Sequence, residues 1–184
     1  MPVEPPRDPD GNTLPHDHAE IQNEHHVIRH ITPYDLFPDR QTHVKRVQSG
    51  AYSESSDQHG GMSVDIEEWM TTDGLDTLHY VHDPSYGAKR INVGELRAQG
   101  FQVGWDSQPG NPHHGAVWGI GNGSKRKRRI AALAVTIRAA SGEGQVDDPG
   151  GGHPRREYYF RLGPVSACAK ARVSAARVRR RFSS

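Results

Sequence analysis

Residues 91–105 read Ile91-Asn92-Val93-Gly94-Glu95-Leu96-Arg97-Ala98-Gln99-Gly100-Phe101-Gln102-Val103-Gly104-Trp105, and this stretch decides the fold. Ile91, Asn92 and Val93 lead into a helical turn over residues 94–99, and Gly100 stands where a helix C′ residue takes left-handed backbone. Phe101, Val103 and Trp105 then alternate with polar or small residues, the period of a strand with one buried face. Working outward, Met62-Ser63-Val64-Asp65-Ile66 alternates in the same way and can run on into a helical turn over residues 67–70. Val27 to Ile31 reads as a short strand stopped at Thr32-Pro33, because a residue before proline avoids the helical region. Residues 78–82 and 116–120 read as further strands. Ile130, Leu133, Ala134 and Ile137 follow helical spacing over residues 125–140. The order predicts an α+β domain: a small, mainly antiparallel sheet with one or two helices and disordered termini.

Composition sets the boundaries. The 184-residue chain is 33% hydrophobic and carries 20 Gly and 13 Pro, so long stretches hold too little apolar surface to offset ordering entropy. Residues 1–24 read as a disordered leader, 25–140 as the α+β domain, and 141–184 as a Gly/Pro linker and basic low-complexity tail, with an edge strand possible only over residues 157–162. Cys168 stands alone, which excludes an internal disulfide and any multi-cysteine zinc site. No apolar run approaches the ~18 residues of a membrane span, and the first residues lack the basic and apolar regions of a secretory signal. A soluble, cytoplasmic protein without a membrane partner is the expectation.

Charge is split by position. Residues 1–124 hold 8 Lys/Arg against 18 Asp/Glu, a net of −10, and residues 125–184 hold 15 against 4, a net of +11. The expected partner of the basic segments is an acidic protein or a nucleic acid, unless the two halves screen each other. Lys125, Arg126, Lys127, Arg128 and Arg129 would sit in the first turn of a helix, where the macrodipole is already positive. Upstream, Gly119-Ile120-Gly121-Asn122-Gly123 joins a strand to that helix. Backbone N–H groups at Gly121 and Gly123 make a phosphate cradle conceivable, although neither the P-loop nor the dinucleotide fingerprint is matched. Any nucleic-acid binding would be to the backbone, since no aromatic platform is interleaved with the basic run.

Eleven of the 12 histidines lie in residues 1–124. Imidazole titrates near neutrality and binds metals, but no spacing here matches a zinc motif, so no metal centre is expected and no cofactor is named by the residues. His30 and His114 are the acid–base candidates, with Arg29 to hold an anionic group and Asp65 to orient an imidazole.

Ile28-Arg29-His30-Ile31, Ser49-Gly50-Ala51-Tyr52, Gly61-Met62-Ser63-Val64-Asp65, residues 96–101 and Asn111-Pro112-His113-His114 together resemble segments of a family of small bacterial proteins of unknown function. The resemblance spans about residues 27–140 and implies a shared fold there; it brings no activity with it. His114 matches the histidine of the family's Asn-Pro-x-His box, whereas His113 and Gly115 depart from it. Three functions follow as expectations: a binding or interaction domain, a small enzyme with a cleft around Arg29, His30, Asp65 and His114, and nonspecific nucleic-acid binding through the basic segments. Convergence of those four residues in space separates the second from the first.

Overall fold

A computed structural model describes residues 3–147. The strands are β1 (His26–Ile31), β2 (Leu36–Pro38), β3 (Lys45–Val47), β4 (Met62–Ile66), β5 (Gly87–Asn92), β6 (Gln102–Trp105), β7 (His114–Trp118) and β8 (Val135–Arg138). The helices are α1 (Glu67–Thr72), α2 (Val93–Ala98) and α3 (Ser124–Leu133), with 3-10 turns at Pro33–Asp35 and Ser49–Tyr52. Six strands form one sheet in the order β6-β7-β4-β1-β5-β8, every neighbouring pair antiparallel, and β2 and β3 make a separate hairpin. The α+β class with a mainly antiparallel sheet holds.

One face of the sheet makes the main core. Val27, Ile31, Met62, Val64, Ile66, Ile91, Val103 and Val117 point to that side and meet Leu96 of α2, Ile130 of α3 and the Ala51-Tyr52 turn. In α2, Asn92 caps the helix by accepting from the Glu95 N–H at 3.0 Å, and Gly100 takes φ +80° just past its end. The other face is covered in part by residues 73–86, whose Leu78 and Val81 pack on Ile28 and Ala88.

Four sequence expectations need correction. Residues 78–82 do not pair as a strand; Leu78 and Val81 serve as plugs in a turn-rich segment laid over the sheet. The helix expected over residues 125–140 stops at Leu133, because the run Val135-Thr136-Ile137 is β-branched and Val135, Thr136 and Arg138 pair with the free edge of β5, Ile137 falling at a break in the register. Residues 3–24 are not a structureless leader: His18 donates its backbone N–H to the Val103 carbonyl at 3.0 Å, and Ile21 is fully buried. Asp17 Oδ1 accepts from Arg97 Nε at 2.9 Å and from the Val103 N–H at 3.2 Å. These anchors are polar and singly spaced, so no hydrophobic period announces them. At the other end, residues 141–147 fold back on the domain through Glu143 on Lys89 (2.6 Å) and the Val44–Val146 bridge. The linker therefore does not begin at residue 141. The strand considered at 157–162, Cys168 and most of the basic tail lie outside the described residues. No helix among the described residues is long and apolar enough to cross a membrane.

Candidate functional site

Alternation along β4 sends Met62, Val64 and Ile66 into the core and leaves Ser63 and Asp65 on the opposite face. The register with β7 sets Asp65 directly across from His114 and Ser63 across from Ala116. Facing residues of an antiparallel pair share a side of the sheet, so His114 lies beside Asp65 and diagonal to Ser63. His114 Nε2 is 2.8 Å from Ser63 Oγ, and its Nδ1 is 2.7 Å from the main-chain carbonyl of Asp106. A carbonyl can only accept, so Nδ1 carries the ring proton; Nε2 is then free to accept from the Ser63 hydroxyl. The Asp106 carboxylate stands 3.7 Å from the same Nδ1.

Beside this pair is a second layer. Asp65 is buried; its Oδ1 accepts from Asn111 Nδ2 at 2.7 Å, and its Oδ2 lies 2.7 Å from His30 Nε2. His30 Nε2 makes no hydrogen bond, so its contact with Asp65 is an ion pair only when the imidazole is protonated. His113 is buried between Tyr80, whose hydroxyl is 2.8 Å from Nδ1, and Asp73, whose Oδ2 is 2.8 Å from Nε2. Burial, then the negative charges of Asp65 and Asp73, hold the Tyr80 phenol above its ordinary value, so it keeps its proton.

Of the four residues expected to converge, the sheet brings together His30, Asp65 and His114. Arg29 falls on the opposite face, as the neighbour of His30 in a strand must. There its Nε donates to the Ala51 carbonyl at 3.0 Å and its guanidinium to the Ser63 carbonyl at 2.9 Å. Burial pulls this guanidinium below its ordinary value, against the charges of Asp35 and Tyr52. Arg29 thus pins the Ser63 backbone from behind and holds no anion in the cleft.

Ser63, His114 and Asp106 line a polar cleft of about 390 Å³, whose further walls come from Arg7, Asn12, His59, Gly60 and Gln108. The Gly60-Gly61 pair lets the loop press against the sheet: a Cβ on Gly61 would lie 2.8 Å from Ala116 Cβ, and one on Gly60 2.7 Å from Ser55 Cβ. Sequence reading passed over Ser63, Asp106 and Asn111. The two-residue step from Ser63 to Asp65 was a usable signal, since it puts both side chains on one face of a strand.

The glycine loop does not offer an open phosphate cradle. Glu54 already fills it: its carboxylate accepts from the Ile120 N–H at 2.9 Å and the Gly121 N–H at 3.0 Å. Gly123 is the N-cap of α3 with ordinary extended backbone. Lys125, Arg126, Lys127, Arg128 and Arg129 follow. Among the described residues none of the five pairs with an acidic group; Arg126 turns back to the Gly119 carbonyl and Arg128 reaches Ser124 Oγ at 3.5 Å. His26, Glu67 and Glu68 bring candidate metal-ligand atoms within 4.8 Å of one another. Those atoms are engaged by protein partners: His26 Nδ1 with Glu68 at 3.0 Å, and Glu67 with Arg90 and with Thr77 Oγ1 at 2.9 Å.

No family model, curated protein or solved structure matches this chain.

Proposed function

We propose that the domain is a small serine hydrolase acting on a compact polar ester or amide. The observation that carries this reading is the hydrogen bond of Ser63 to His114 Nε2 at 2.8 Å, with the opposite ring nitrogen held at 2.7 Å by the Asp106 carbonyl. A nucleophile, a base and a group that fixes the base's tautomer are three of the parts that acyl transfer uses. His30, Asp65 and His114 share one face of the sheet, and of these His114 lines the cleft beside Ser63, which supports an enzyme over an interaction domain. The cleft volume of about 390 Å³ suits a small substrate.

In the reaction, His114 Nε2 takes the Ser63 proton as Oγ bonds to the substrate carbonyl carbon, and the carbonyl electron pair moves to its oxygen. Collapse of the tetrahedral intermediate expels the alcohol or amine, which leaves with the proton returned by Nε2. Water, deprotonated by His114, then attacks the acyl-Ser63 ester; Ser63 leaves, regains its proton, and the acid is released. The transient imidazolium faces the Asp106 carboxylate at 3.7 Å and has Asp65 as its cross-strand neighbour. Arg29 and the Gly60-Gly61 loop keep Ser63 in register from the two sides.

The test is covalent labelling with a fluorophosphonate probe, mapped by mass spectrometry. One adduct, on Ser63, is expected; Ser63→Ala abolishes it, and His114→Gln slows it by roughly 10²–10⁴-fold, the usual worth of a positioned base. A folded wild-type protein that takes up no probe at Ser63 would overturn the reading.

A second reading has its own support. The basic side chains of α3 have no acidic partner among the described residues, which favours contact with a polyanion over screening by the acidic body.

A further inference from the structure

The hairpin that carries His114 and Asp106 also builds a second cavity, on its other side. Neighbouring residues part ways here: Asp106 and His114 line the proposed catalytic cleft, and Trp105 and His113 line this one. It encloses about 410 Å³. Its walls are Trp69 of α1 and Trp105 at the end of β6, set edge to face with ring centroids 5.9 Å apart and planes at 67°. Trp105 is held in place by its indole N–H on the Pro112 carbonyl at 2.8 Å. His18 packs against both rings, at 5.6 Å from Trp69 and 6.3 Å from Trp105, so the corner stands formed with nothing bound in it.

Thr72, Pro112 and His113 complete the walls, and the carboxyl groups among the lining are Glu20 and Asp73. Among the described residues no Lys or Arg reaches the cavity. Asp73 accepts from His113 Nε2 through Oδ2, yet its side chain is 65% exposed. The second ring nitrogen of His113, Nδ1, is 2.8 Å from the Tyr80 hydroxyl, so the ring is held between Tyr80 and Asp73 at the back of the cavity. A preformed corner of two indoles with two carboxylates at its margin fits a ligand that is at once cationic and clad in apolar groups. A metal ion holds its water shell too tightly to gain much from the indoles, and a neutral apolar ligand gains nothing from Glu20 and Asp73.

We infer that this cavity binds an alkylated ammonium group, held by cation–π attraction to Trp69 and Trp105 and by the negative field of Asp73 and Glu20. The site is separate from the Ser63 chemistry and stands whether or not Ser63 is a nucleophile.

Tetramethylammonium chloride is the probe, titrated into the full chain while the indole N–H signals of its 3 tryptophans are followed by NMR. Trp118 is the internal reference, because its indole is tied to the His59 carbonyl at 2.7 Å and does not line this cavity. The Trp69 and Trp105 signals should shift saturably in the millimolar range while Trp118 stays in place, with sodium chloride at equal ionic strength as the blank. The uncharged isostere tert-butanol should bind at least about fivefold more weakly. Asp73→Asn keeps the acceptor for His113 and should weaken binding about threefold, the scale of one exposed charge. Trp69→Leu should remove the saturable shift of Trp105. An unsaturable or absent response at Trp69 and Trp105 in the wild-type protein overturns the inference, and so does an equal response to tert-butanol.

Discussion

Arg29 and His30 are adjacent in sequence, and the sheet sends them to opposite worlds. His30 joins the charged layer around Asp65, whereas Arg29 enters the core face with Tyr52, Asp35 and Ala51. Tyr52 is 2% exposed, and burial pushes its phenol up to about 12, with Glu143 and Asp35 adding to the shift and Arg29 opposing it. The sign follows from which state keeps the proton. Below the unfolded value of 10.0 both states are protonated, so this group's stabilising contribution is fully present. Between 10.0 and about 12 the unfolded chain loses a proton that the folded one retains, and stability falls through that window. Two units correspond to roughly 2.7 kcal/mol. Denaturant midpoints measured from pH 9 to 11.5 should therefore drop steeply in the wild type and less in Tyr52→Phe; parallel curves would refute the assignment. The pairing of His114 with Asp65 was legible from the residue types and the strand pattern. The separation of Arg29 from His30 was legible too, since it follows from a period of two alone. The roles of Ser63 and Asp106 were not, because a serine on a strand carries no local mark of the base that folding brings to it across 51 positions.

At the level of elements, periodicity located β1, β4, α2 and β6 because each has one face in a single continuous core. It erred where a segment is held by something other than an apolar stripe. Residues 125–137 satisfy helical spacing throughout, yet the β-branched Val135-Thr136-Ile137 finds an unpaired strand edge, and pairing prevails over continuation. The segment before β1 is the sharper case, because its hold on the domain comes from Asp17 on Arg97 and Val103, Asn23 on Arg97, and one buried apolar residue, Ile21. Removing residues 1–24 strips these partners from Arg97 and uncovers the core beneath Ile21. Full burial of an isoleucine alone is worth about 1.5–3 kcal/mol. The truncated chain should melt several degrees below the full-length protein, with Ile21→Ala reproducing a substantial part of the loss. Coincident melting curves for the full and truncated chains would return these residues to the status of a dispensable leader.

Across the whole molecule the acidic and basic portions meet in sequence at α3. Before α3 lie Asp65 on β4, Asp73 just past α1 and Asp106 just past β6, while α3 opens with basic residues and no acidic group in its first turn. Such a helix start works against its own dipole, so an external anion near it would relieve the repulsion. The glycine loop is closed to that anion by Glu54, which leaves the lysine and arginine side chains themselves as the contact surface. Binding should then be electrostatic and indifferent to base sequence. If about five phosphates are neutralised, the affinity for duplex DNA should fall with a log–log salt slope of about −4 to −5. Replacing Lys125, Arg126, Lys127, Arg128 and Arg129 by glutamine should flatten that slope by several units, with no change in the labelling of Ser63, since the helix supplies no wall of that cleft. Anisotropy titrations at about 50 mM salt, in the range where nonspecific binders associate at micromolar protein, provide the measurement. No association under those conditions would mean that the positive charge of α3 is compensated within the chain, and the polyanion reading would fall while the hydrolase reading stood.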